Sequence, residues 1–133
     1  MPPDLLAKAR DLLEVTAGAF RTALAHGVPL AAGTDGGVPT QRHGMVWREL
    51  ATMVELGCPA EDVLRAGTAA GADVTGVGDT VGRIRPGARV DLIAVPGDPR
   101  AGMAVLRRPL VVILGGVPLA GGEAEHADEG ARR

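Results

Sequence analysis

Asp35 is the residue whose type and setting best suit chemistry. It stands in Gly33-Thr34-Asp35-Gly36-Gly37, directly after the short apolar run Val28-Pro29-Leu30-Ala31-Ala32. A carboxylate at the C-terminal end of a buried strand can bind a metal ion, or act as general base toward a metal-bound water. The flanking glycines allow tight turns and leave room for a substrate. Asp-Gly is equally a common turn pair, so a turn or helix-cap role fits the local sequence as well. His43 lies eight residues further on, just before a helical pattern, where it can face the same mouth or simply be a solvated loop histidine.

The remaining reactive types carry less. His26 falls at a helix C-terminus, where a cation suits the helix dipole, and His126 sits in a charged tail. Cys58 is the sole cysteine, so an intramolecular disulfide and a cysteine-based metal motif are both excluded. It reads as a helix-start residue before Pro59. Asp91 flanks an apolar run, and Asp98-Pro99 reads as turn chemistry. The sequence holds no serine nucleophile elbow, no Walker loop and no dinucleotide fingerprint.

These residues must be positioned by the elements between them. Leu5, Ala9, Leu12, Leu13, Thr16, Phe20 and Leu24 recur at spacings of three and four and predict a first helix, with Pro2, Pro3 and Asp4 at its start and Gly27 as its stop. Residues 28–32 then predict a strand buried on both faces, as in a parallel sheet. A second helix is expected from about Gly44 to Leu56, on the stripe Val46, Leu50, Met53 and Val54, with Gly57 ending it. Pro59 opens a third at its first position, through Val63, Leu64, Gly67, Ala70, Gly71 and Val74, with small residues that permit close packing.

Beyond Gly76 the period changes. Short strands are expected over 82–84 and 90–95 around a Pro86-Gly87 turn, and 110–114 with 117–120 predict a hairpin on Gly115-Gly116. The expected organisation is a helix, a buried strand, a loop and two further helices over 1–76, a small β unit over 77–120 and a disordered charged tail over 121–133. A helix feeding one buried parallel strand is an unfinished object, because such a strand needs neighbours on both sides.

Bulk properties narrow the function classes. The 133 residues suffice for one domain, and 46% of them are hydrophobic, as in a globular protein. Phe20 and Trp47 are the only aromatics, so the core must come from aliphatic residues and close backbone approaches. A net charge of −2 gives no electrostatic case for a nucleic-acid partner. No apolar run approaches the roughly 20 residues that cross a bilayer, and the first residues lack a signal-peptide pattern. No membrane association is expected, and a cytoplasmic location is.

The order of these pieces resembles the C-terminal part of amidohydrolase-superfamily enzymes, in the imidazolonepropionase and prolidase-like branch. Gly33-Thr34-Asp35-Gly36-Gly37 resembles the motif after the eighth barrel strand. His43-Gly44 with Arg48-Glu49-Leu50 and Met53-Val54-Glu55-Leu56-Gly57 resembles the helix that follows. Leu64-Arg65-Ala66-Gly67-Thr68 is similar to the branch's "LRAAT" helix, with Gly67 in place of an alanine. Gly82-Arg83-Ile84-Arg85-Pro86-Gly87 is similar to its "GxIxPG" turn, and Val90-Asp91-Leu92-Ile93-Ala94-Val95 to its "ADLV" strand. Gly97-Asp98-Pro99 and the Gly115-Gly116 hairpin complete the likeness, from about Leu12 to Leu119.

The resemblance implies an α/β fold: a C-terminal fragment of a (β/α)8 barrel, with the last strand and its helices, followed by part of a small β-sandwich domain shared with strands from the N-terminal end. It implies a metal-dependent hydrolase of C–N bonds in an amide, cyclic amide or dipeptide. Asp35 would ligate the metal, zinc foremost, and handle the proton of the attacking water, and His43 would orient a small-molecule substrate. The family's other ligands are an HxH pair on the first strand, often a carboxylated lysine, and two histidines on middle strands. This sequence has no HxH, and Lys8, its only lysine, lies in a helix. A catalytic zinc takes about three protein ligands, so the chain alone is expected to bind no metal and to be inactive. Three readings follow: an inactive C-terminal fragment, one subunit of a split enzyme completed by an N-terminal chain, or a non-enzymatic interaction module. Exposed apolar surface is expected wherever the missing barrel would have packed.

Overall fold

The computed structural model describes residues 3–37 and 43–119. The first helix, α1, spans Pro3–Ala25. It ends where the sequence places its stop: Gly27 adopts φ +66°, its N–H donates to Leu24 O, and Val28 N–H donates to Ala23 O. This pair of bonds satisfies two carbonyls of the last turn, and it needs a left-handed residue that glycine supplies without a Cβ penalty. The second helix, α2 (Val46–Glu55), stops in the same way at Gly57, with Gly57 N–H on Val54 O and Cys58 N–H on Met53 O.

The predicted third helix is two. Helix α3 runs over Ala60–Ala66, with Pro59 as its N-cap and not its first helical residue, and α4 over Ala69–Val74. The break falls at Gly67-Thr68, where Thr68 has φ −129° and ψ −90° and turns its hydroxyl onto Leu64 O at 2.7 Å. The cause is tertiary. A Cβ at Gly67 would lie 3.1 Å from Leu50 Cδ2, so the backbone here is the floor on which Leu50 packs.

The core lies between these helices. Leu50, Met53, Cys58, Val63, Ala66 and Met103 form its buried cluster, with Val63 fully enclosed. Phe20, Leu24, Leu30 and Ala32 pack against it. Phe20 and Leu24 lie in the C-terminal part of α1, whereas Leu12 and Leu13 are 67% and 69% exposed despite their place on the apolar stripe.

The strand expected over residues 28–32, buried on both faces, does not form. No strand is assigned, Leu30 and Ala32 face the core, and Val28 is 49% exposed. One backbone tie anchors the segment to α3, from Ala32 N–H to Ala66 O at 3.0 Å. The physical reason is the absence, among the described residues, of any strand beside it.

The β unit is a three-stranded antiparallel sheet of order β1-β2-β3, with β1 Leu92–Ala94, β2 Val111–Leu114 and β3 Val117–Leu119. Ile93 pairs with Val112, and Ile113 with Pro118. The Gly115-Gly116 turn has positive φ at both residues, the geometry that matches hairpin twist. Ala120 and the tail lie outside the described residues, as does the expectation of disorder there. The strand expected over 82–84 does not form, and Ile84 is 89% exposed. Arg83 instead reaches back to Asp73 on α4 through two hydrogen bonds of 2.8 and 2.6 Å. Gly82 (φ +85°) lies so close to α4 that a Cβ would sit 2.6 Å from that of Ala72. The Pro86-Gly87 turn forms as expected, closed by Ala88 N–H on Arg85 O.

A 3-10 helix, Met103–Arg107, joins β1 to β2 and had no signal in the sequence pattern. Its Met103 is buried in the core cluster against α2, which fastens the sheet to the helices.

Candidate functional site

Asp35 stands at the free end of the extended segment, exposed to solvent. Its φ of +47° makes it the one non-glycine residue with a left-handed backbone among those described. Aspartate tolerates that region better than most L-residues because its side chain is short and polar. The backbone turn so produced separates the carboxylate from the apolar run that precedes it.

The structure brings His43 to the same loop. A Cβ built on Gly37 would meet His43 Nε2 at 3.4 Å, so the imidazole rests on the bare backbone two residues after Asp35. Both side chains are exposed, and His43 stands at the entry to α2, just before its N-cap Met45. The carboxylate of Asp35 and the imidazole of His43 are thus both open to solvent, with Gly37 in contact with the latter.

The other reactive residues separate from this pair. Cys58 is buried in the core, and burial, with Asp62 nearby, pushes its thiol up, away from a nucleophilic thiolate. His26 is exposed in the turn that ends α1. Asp91 works in the sheet: its Oδ1 accepts Gly115 N–H at 2.7 Å, and its other oxygen binds the Arg89 guanidinium. Those contacts, Arg89 first and the Gly115 amide second, hold its carboxyl below the usual range. Asp98 caps its own turn by accepting Arg100 N–H at 2.9 Å, and the Arg100 side chain lowers its pKa. Asp73 is lowered likewise by Arg83.

Sequence reasoning gave Trp47 no role. In the structure its half-buried ring lies 5.4 Å from the Arg48 guanidinium carbon and 6.0 Å from that of Arg107. It therefore bridges α2 and the 3-10 helix. Only the rarity of tryptophan in the chain could have hinted at it.

Among the described residues no three His, Cys, Asp or Glu side chains come together, whereas a catalytic zinc needs about three protein ligands. What the loop can supply is a single acidic ligand or proton acceptor, with an imidazole near it.

The sequence profile described as the amidohydrolase family matches residues 3–119. The chain belongs to the amidohydrolase family. An uncharacterized protein of Mycobacterium tuberculosis is 36% identical over 118 residues, which are 86% of this chain and 30% of that protein. Among solved structures, a Xaa-Pro dipeptidase with bound methionine is similar at 40% identity and TM-score 0.73, over 79% of this chain and 25% of that one. A candidate prolidase from Bifidobacterium longum is similar at 28% identity and TM-score 0.84, over 92% of this chain and 31% of that one. This amidohydrolase chain therefore spans about a third or less of the proteins it matches. Members of the superfamily are typically metal-dependent. No helix among the described residues is long and apolar enough to cross a membrane.

Proposed function

We propose that this amidohydrolase chain is the C-terminal portion of a metal-dependent hydrolase of C–N bonds, supplying the last barrel strand, the Asp35 loop, the closing helices and part of the β domain. An amide, a cyclic amide or a dipeptide is the substrate class, and the likeness to a Xaa-Pro dipeptidase at 40% identity favours a dipeptide. The observation that carries the reading is Asp35: an exposed carboxylate on a left-handed backbone, two residues before Gly37, against which His43 rests. In the assembled cytoplasmic enzyme Asp35 takes the proton of the attacking water and returns it to the leaving nitrogen. His43 orients the substrate at the mouth.

By itself the chain does not make a metal site. A divalent cation, zinc foremost, belongs to the assembled protein, where Asp35 is this chain's ligand to it. The unpaired extended segment favours one second reading, a split enzyme in which another polypeptide carries the remaining ligands and covers residues 28–34. The chain alone is then inactive in either case.

The test is to purify the 133-residue chain and assay bound metal and hydrolysis of X-Pro dipeptides, alone and after mixing with a complementary N-terminal amidohydrolase chain. The expected result is no bound transition metal and no turnover alone. Turnover should appear only in the mixture, falling by about 10²–10⁴ with Asp35→Asn, the range typical of a lost acid–base group. Tight metal binding and turnover by the isolated chain would overturn the reading, as would an assembled enzyme indifferent to Asp35→Asn.

A further inference from the structure

We draw no further inference here: the strongest candidate, the apolar groove between α3–α4 and the three-stranded sheet, has its lining Thr68, Thr75, Arg83 and Asp91 side chains already bonded within the chain, and nothing in the structure shows what covers it.

Discussion

The three-stranded sheet and the segment over residues 28–34 are stabilised in different ways. The hairpin of β2 and β3 closes on two glycines, and its partner strand β1 lies in the same short region of sequence. Residues 28–34 are tied by Val28 N–H on Ala23 O, in the turn that ends α1, and by Ala32 N–H on Ala66 O. Antiparallel strands can be joined by a two-residue turn, whereas parallel strands require long crossovers and partners from elsewhere in the chain. Among the described residues, the segment before Asp35 thus joins no sheet. The β unit completes its own ladder.

Hydrogen exchange sharpens that comparison most directly. Amides of residues 30–34, Ala32 excepted, should exchange at least about a hundredfold faster than those of Val112 and Leu114, because opening free energies run from near zero to the global value. Equal protection in the two stretches would mean that the extended segment has found partners in solution.

The next test breaks the link between the two regions. Met103 is the sheet's buried contribution to the helical core. Met103→Ala should cost about 2–5 kcal/mol, as buried methionine truncations do, read from urea unfolding. If the midpoint does not move, the β unit stands without the helices. Gly82→Ala should cost about 2–4 kcal/mol, since a Cβ would combine a left-handed backbone with overpacking against Ala72. Gly33→Ala, at a position open to solvent, is the control and should change little.

The smallest effect is acid sensitivity. Asp73, Asp91 and Asp98 are each lowered in the folded chain by an arginine partner. Their contribution is therefore complete above the ordinary aspartate value of about 3.9 and is lost as pH falls through the depressed folded values. All three are solvent-screened, so the midpoint should drift only slightly below pH 4. Asp91→Asn should reduce that drift, and an unchanged acid limb would show that the pair with Arg89 is inert.

Much of the architecture was legible because its causes are local. Gly27 and Gly57 end helices wherever a left-handed residue follows an amphipathic run, and Pro86-Gly87 and Gly115-Gly116 carry their turn geometry in their own backbones. What sequence could not show depended on remote contacts. The break at Gly67-Thr68 answers to Leu50, the absent strand at 82–84 to the Asp73–Arg83 pair, and the 3-10 helix to the burial of Met103. The exposure of Val28, Pro29 and Ala31, beside the half-buried Leu30 and Ala32, is the same lesson inverted, for an apolar run predicts burial only where something is present to bury it.

The left-handed backbone at Asp35 has a consequence for how the loop can change over generations. Single-base changes in an aspartate codon reach both asparagine and glycine, and both tolerate that conformation. Either replacement would erase the carboxylate and leave the turn intact. Descendants that have lost the chemistry can therefore keep the loop's outline, and in sorting working copies from relics the identity of this one side chain is more telling than any superposition of the backbone.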